Sequence, residues 1–512
     1  MVRKHLLLFG IMFCLRCIAY KEAVAQVYLQ QPVFFCCKEL PLGGILDSIG
    51  HKLGINFSYD ASLIPHHRLK TCCFYGKPLT DALNELMDTL QLGYLERGNQ
   101  LAIYPINRPG SPASSKEQYL LEIKGWISEA KTKKAIPYAS ISVENHPIGV
   151  ISNIDGYFSL RIPTTFADSN IRVSSMGFND FRFSYSAGDT TARIIVLTPA
   201  RVSIPEVIIR TGDPLALIRA SCQAIPVNYS AHPAYLTAFF RETTWKDKIC
   251  ISISESVLQI YKSSYSNSFD NDQVKLFKGR KKQDSLQLSR LNYKVEGGLF
   301  NSLMLDIARN RASFLDPLQM QNYDYVFSGF TKYNDREVYV IQFDQKEGVS
   351  DALFKGSVYL DVKSLAIVGA EFALSPRGMR YARQMLVKKS PHRYQVRPIK
   401  AEYAVHYRQT GDNWNLSDVR MNLEIKARPR SAMATSVYKT VSEMVITGKD
   451  TAGVRRFRYN ETSRSSDILV NQIKDFDESF WNGFNVLEPE TNLYEPVRKI
   501  RTKITPQIPF SW

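Results

Sequence analysis

Between Phe34 and Leu46 the chain reads FFCCKELPLGGIL, and between Lys70 and Leu83 it reads KTCCFYGKPLTDAL. A shift of 37 positions lays Cys36 on Cys73, Pro41 on Pro78, Leu42 on Leu79 and Leu46 on Leu83. It also lays Leu53 on Leu90 and Phe57 on Tyr94. Such a repeat constrains the fold strongly, because each copy forms the same small unit and buries its apolar face against the other. Each copy reads as a strand, a Pro-started helix and another strand. Leu42, Ile45, Leu46, Ile49 and Leu53 line one face of the first helix, and Leu79, Leu83, Leu86 and Leu90 line one face of the second. Pro41 and Pro78 stand at the helix starts, where a missing amide proton costs little.

What the Cys-Cys doublets do depends on compartment. The first 25 residues contain basic residues, an apolar core from Leu6 to Leu15, and Ala23-Val24-Ala25 before Gln26, which reads as a secretory signal peptide. No later stretch reaches the roughly 20 apolar residues of a membrane helix. The expectation is therefore an exported chain, soluble or peripherally attached. Cys36, Cys37, Cys72, Cys73, Cys222 and Cys250 remain after cleavage. Neighbours on a strand point to opposite faces, so only one of each doublet need face the partner strand. Export favours a disulfide between the doublets, which would close a loop of about 37 residues and stabilise by roughly 3–4 kcal/mol. Buried free thiols and a metal site are the alternatives. Zinc ligands are usually two to four residues apart, whereas these are adjacent, and His66 and His67 lie in a polar turn.

The formal charge of +16 is uneven. Residues 26–210 carry 18 Lys/Arg against 16 Asp/Glu, while 211–512 carry 43 against 32. Arg377, Arg380, Arg383, Lys388, Lys389, Arg393, Arg397 and Lys400 follow one another with no acid between them. For an exported protein this argues against nucleic acid. It leaves an anionic membrane surface, lipid or acidic glycan, or simply a solvated segment.

Residues 27–105 read as βαββαββ and close with GYLERGNQLAIYP, a hairpin with a Gly-Asn turn. With two PL…AL helix starts and INFSYD after the first helix, the segment resembles the short N-terminal domain shared by secretins and TonB-dependent receptors. Residues 106–119 form a Pro/Ser-rich linker. The periodicity then changes from helical to alternating, and seven short strands fall within 120–209, predicting a β-sandwich. GWISEAKTKKAIPYASISV, GVISNIDGYFSLRIP, SSMGF and IIVLTP make this segment similar to the carboxypeptidase regulatory-like domain. That resemblance implies a non-catalytic sandwich and brings no peptidase residues. The two domains in this order resemble the periplasmic extension of TonB-dependent transducers from the Bacteroidota. There a plug and a barrel of about 22 strands follow, and strands of about 9–11 residues with their turns would exceed what remains here.

Residues 213–486 open with an amphipathic helix near 214–224 capped by Asp213, carry another near 301–314, and otherwise alternate as long antiparallel strands. This predicts a larger β-rich domain with covering helices, followed by a tail at 487–512. It resembles the C-terminal region of Bacteroidota envelope proteins with carboxypeptidase regulatory-like domains, and more loosely the half-barrel of lipoprotein carriers. The expected fold class is thus multidomain, α+β and then all-β.

Chemistry is sparse. The histidines form no metallopeptidase pair, and there is neither a nucleophile elbow nor a phosphate-cradling Gly-rich loop. Ser128-Glu-Ala-Lys131 falls in a predicted hairpin, and Cys222 and Cys250 read as core residues. Phe239, Phe240 and Trp245 could line an apolar cavity, and Asp475, Asp477 and Glu478 could meet a cation, although plain core and solvated surface explain both groups. No catalytic residue, cofactor or metal is expected. The reading is a non-enzymatic recognition or signalling protein, periplasmic and outer-membrane-associated. The transducer resemblance implies envelope partners such as an anti-sigma factor or a TonB-system component. A carrier of a lipid or lipoprotein acyl chain is the alternative.

Overall fold

The computed structural model describes residues 29–58, 69–87, 92–97, 100–105, 120–185, 191–201, 213–266, 270–284, 294–295, 298–389, 394–431, 433–458, 461–462, 483–491 and 493. The signal segment, the 106–119 linker, His66, His67, Arg393 and the 475–478 acids lie outside them. Most of the chain is β, and it forms two compact units, residues 1–117 and 118–512.

In the first unit β1 (Pro32–Pro41) runs into α1 (Leu42–Leu53), and β2 (Asn56–Ser58) follows. Then β3 (Leu69–Pro78) runs into α2 (Leu79–Met87), ahead of the β4 (Leu92–Arg97) and β5 (Gln100–Pro105) hairpin. The repeated strands pair with each other, antiparallel, and β5 joins β2 to β4. Ile45, Leu46, Ile49, Leu79, Leu83 and Leu86 are buried in one cluster, as the helical spacing requires. Gly54 closes α1 in the left-handed conformation at φ 68°, where a side chain would be strained. Both members of each doublet find a partner, because Cys36 pairs with Cys73 and Cys37 with Cys72 at adjacent rungs. Cys36 and Cys73 are disulfide-bonded on the exposed side. Cys37 and Cys72, packed against the core on the other side, are free thiols with sulfurs 3.4 Å apart.

The second unit starts with seven strands in two sheets. They are β6 (Leu120–Glu129), β7 (Ser140–Val143), β8 (Gly149–Ile151), β9 (Tyr157–Pro163), β10 (Asn170–Ser174), β11 (Phe181–Ser184) and β12 (Arg193–Leu197). The sheet orders are β11-β10-β7-β8 and β12-β6-β9, and Ile123, Ile141, Phe158, Leu160, Val173 and Ile195 fill the space between them.

After α3 (Pro214–Gln223) and α4 (Ile225–Asn228) comes an antiparallel sheet of ten strands. Its first three are β13 (Ala234–Lys246), β14 (Ile249–Lys262) and β15 (Gln273–Gln283). A two-residue strand β16 (Lys294–Val295) and helix α5 (Leu299–Met304) precede β17 (Tyr323–Tyr333), β18 (Arg336–Gln345), β19 (Phe354–Asp361) and β20 (Ile367–Leu374). Strand β21 (Val387–Lys389) pairs with β16, and β22 (Tyr394–Thr410), β23 (Asn413–Pro429) and β24 (Ser436–Asp450) complete the sheet. Its order is β15-β14-β13-β24-β23-β22-β20-β19-β18-β17, so the last strand pairs with the first. The Asn334-Asp335 turn takes positive φ at both residues, 51° and 57°, matching the twist of the strands it joins.

One face of this sheet is apolar and covered. Leu236, Ala238 and Phe240 of β13 share a cluster with Ile218 and Cys222 of α3, Leu303 of α5, and Phe314 and Leu315 beyond it. The helix expected over 301–314 stops at Met304. Two residues on, Asp306 is fully buried and accepts hydrogen bonds from Tyr265 (2.7 Å) and Tyr407 (2.7 Å), with Lys262 at 2.7 Å. Pinning this carboxylate to the sheet outweighs continuing the helix.

The other face meets the sandwich. Ile151 of β8 packs with Phe239, Val257 and Val445, and Val486 and Leu487 from near the C-terminal end join the same cluster. Gly149 of β8 lies against the Arg408 guanidinium, and a Cβ there would also meet the Ile141 carbonyl oxygen at 2.8 Å. The tail boundary drawn at 486 thus runs through a packed segment.

Candidate functional site

Between the sandwich, Glu490, Leu493 and the second face of the sheet lies a cavity of about 1120 Å³. It is built by strand alternation. Thr243 and Trp245 of β13 point into it, and so do Glu371, Glu402, Arg420 and Glu443 from the middle strands. Asp324, Gln342, Asp344, Lys355 and Ser357 line the side formed by β17–β19, and Tyr138 and Ile154 come from the sandwich. Phe343, Phe372 and Tyr403 supply apolar edges.

Three charged arrangements surround it. Arg241, 2% exposed, donates from Nε to Glu255 Oε1 at 2.8 Å and from Nη2 to the Leu487 carbonyl at 2.6 Å. Arg280 binds the other Glu255 oxygen at 2.6 Å. Burial alone would raise the Glu255 carboxyl, and the two guanidiniums overcome it and hold the group low. Residues 484–491 are thereby strapped across the unit. Arg161 donates to the Phe484 carbonyl at 2.7 Å, the Asn485 side chain pairs with the Arg161 backbone, and Thr491 donates to Asp155 at 2.8 Å.

The second arrangement centres on His406, 8% exposed, with Nδ1 3.0 Å from Asp418 and Nε2 3.6 Å from Glu371. Burial opposes a charge here, yet Asp418 and Glu371 outweigh it and lift the imidazole to about 9. The imidazolium in turn holds Glu371 below its usual range. The third arrangement locks the sandwich to the β17–β18 turn. Arg182 pairs with Glu144 at 2.8 Å and with Asp335, Ser174 donates to Asn334 at 3.0 Å, and Gly177 donates to the Lys332 carbonyl at 2.9 Å. Beside it Asp180 is pushed up to about 6 by burial and by Asp335.

The residues singled out in the sequence are dispersed. Phe240 belongs to the helix-covered core, Phe239 packs beneath Ile151, and only Trp245 lines the cavity. Arg377, Arg380, Arg383 and Arg397 are exposed, with Arg377 2.5 Å from Glu347, and Lys400 stands 3.0 Å from Glu402. Lys388 and Lys389 lie on β21. Cys222 donates to the Leu315 carbonyl and Cys250 to that of Ser252. Missed in the sequence were Arg241, Glu371, His406, Asp418 and Glu443. Their only signal was the polar half of each strand's alternation, which reads as a solvated face. Among the described residues no group of His, Cys, Asp and Glu could hold a metal ion, and no helix is long and apolar enough to cross a membrane.

Residues 123–209 match the family described as CarboxypepD_reg-like domain. The chain matches none of the curated proteins. Among solved structures it is similar to an outer membrane lipoprotein-sorting protein domain from Vibrio parahaemolyticus, at 13% identity and a TM-score of 0.22, covering 47% of this chain and 94% of that one. A LolA superfamily protein from Nitrosomonas europaea aligns at 9% identity and a TM-score of 0.19, covering 50% and 99%. A DUF1329 family protein from Desulfovibrio piger aligns at 11% and 0.20, covering 48% and 96%. At such TM-scores the likeness carries no argument about function.

Proposed function

We propose that this chain is an exported, outer-membrane-associated protein facing the periplasm that recognises an envelope partner and performs no chemistry on it. The sheet's two faces carry this reading. The apolar face is filled by α3, α5 and residues 305–322, while the open cavity on the other face carries seven carboxylates and four bases among its apolar lining residues. An acyl chain needs the opposite arrangement, because burying carboxylates and guanidiniums against a lipid tail leaves them unsolvated. His406 supports binding over catalysis, since both ring nitrogens already face carboxylates. The CarboxypepD_reg-like domain fits an envelope protein, and an anti-sigma factor or a TonB-system component is the partner class that the transducer resemblance implies. Native mass spectrometry of the purified chain after incubation with envelope lipid extract tests this. The expected spectrum shows the bare protein mass. Stoichiometric retention of an acyl-chain ligand would overturn the reading in favour of a carrier.

A further inference from the structure

The chain carries a formal +16, but the cavity reverses that sign. Asp247, Asp324, Asp344, Glu371, Glu402, Glu443 and Glu490 line it, against Arg241, Lys355, Arg420 and Lys439. Two of those bases are already committed, as are Glu371 to His406 and Glu402 to Lys400. Arg241 is spent on Glu255 and on the Leu487 carbonyl. The Arg420 guanidinium lies 3.6 Å over the Tyr138 ring and reaches Asp418 at 3.8 Å.

An acidic lining alone would mean little, since rim carboxylates can face water. Glu443 is different. It is 6% exposed, it lines the cavity, and among the described residues its carboxylate accepts no hydrogen bond. Its one ion contact is Arg241 Nη1, at 3.9 Å and beyond hydrogen-bond distance. A buried carboxylate left without a donor is costly. Burial pushes the Glu443 carboxyl up against the pull of Arg241, and Glu490 adds to the push. Glu490 is itself raised by burial. A buried carboxylate that lines a cavity without a donor, with a second carboxylate pushing against its charge, describes a place for a cation. Trp245 on the same wall offers its ring to an aromatic or cationic neighbour.

We infer that the cavity binds a basic peptide segment, with an Arg or Lys side chain seated between Glu443 and Glu490 and an adjacent aromatic residue against Trp245. The volume, about 1120 Å³, exceeds the usual range for a drug-sized ligand, about 300–1000 Å³, and suits a few residues of chain. This deepens the recognition reading and rests on it.

The test uses the full chain and three fluorescein-labelled pentapeptide amides, Gly-Tyr-Arg-Tyr-Gly and its counterparts with Gln or Glu at the centre, followed by anisotropy at low ionic strength. The Arg peptide is expected to bind at least tenfold tighter than the Gln peptide, and the Glu peptide weakest. The neutral isostere Glu443→Gln should erase the Arg preference without changing the circular dichroism spectrum. Asp324→Asn on the exposed rim should weaken Arg binding only slightly. If Glu443→Gln does not fold, Glu490→Gln takes its place with the same expectation. Equal or tighter binding of the Glu peptide would sink the cationic site while leaving a polar recognition pocket standing. Binding of none of the three, together with lipid retention in the mass spectrum, would overturn both readings.

Discussion

Replacing His406 with Gln gives a pH-dependent loss of stability whose sign and size follow from three strands. His406 sits on β22 with its side chain enclosed, Asp418 on β23 at 3.0 Å, and Glu371 on β20 at 3.6 Å, while Arg420 opposes from β23. In the folded chain the imidazole titrates at about 9, against about 6.5 in an unfolded chain. A folded-state value above the unfolded one means that the folded state holds the proton more tightly. The resulting stability is therefore complete below about pH 6.5 and lost as pH rises through about 9. At about 1.4 kcal/mol per pH unit the difference amounts to about 3 kcal/mol. Urea unfolding read by tryptophan fluorescence reports the second unit, because all five tryptophans lie beyond residue 118. The parent chain should exceed His406→Gln by about 3 kcal/mol at pH 6, and the gap should close by about pH 10. Comparing the two chains cancels the titration of groups that His406 does not touch, Asp180 included. A gap that stays constant with pH, or widens toward pH 10, would refute the argument and leave His406 a neutral packing residue.

Two further outcomes test other parts of the structure. Glu255→Gln removes the buried carboxylate that bridges Arg241 and Arg280 and should cost about 3–5 kcal/mol, the scale for breaking a buried ion pair by removing one partner; a urea midpoint within error of the parent's would contradict that. In the first unit, peptide mapping without reductant should recover Cys36 linked to Cys73. Iodoacetamide at neutral pH should modify Cys72 slowly, since burial and the neighbouring Cys37 push its thiol up to about 12. Rapid labelling of Cys72 in the folded chain would show that the inner rung is open to solvent.

Local order was legible without coordinates. The 37-residue repeat marked the two Cys-Cys doublets as equivalent places without saying which cysteines pair, the Leu spacing marked the buried faces of α1 and α2, and alternation located strands of the sandwich and of the ten-stranded sheet. Helix α3 also begins where Asp213 and Pro214 placed it. These signals survive in one dimension because a helix or strand is periodic in its own sequence. Period two says that a strand has two unlike faces, but it does not say what covers each. Glu371, Glu402, Arg420 and Glu443 therefore read as water-facing, and only the docking of the sandwich and residues 484–491 turned that face into the wall of a cavity. The charged partners were hidden for the same reason. Arg241 meets Glu255 through the β13–β14 register and Leu487 through the fold, 246 positions away, and His406 meets Glu371 only because β20 and β22 lie side by side. Helix α5 stops early because Asp306 is bonded to tyrosines 41 and 101 residues distant. The chain's own pattern set each element's type and inner face, while strand order and domain docking set which charges meet, since electrostatic pairing depends on distance in space and not along the chain.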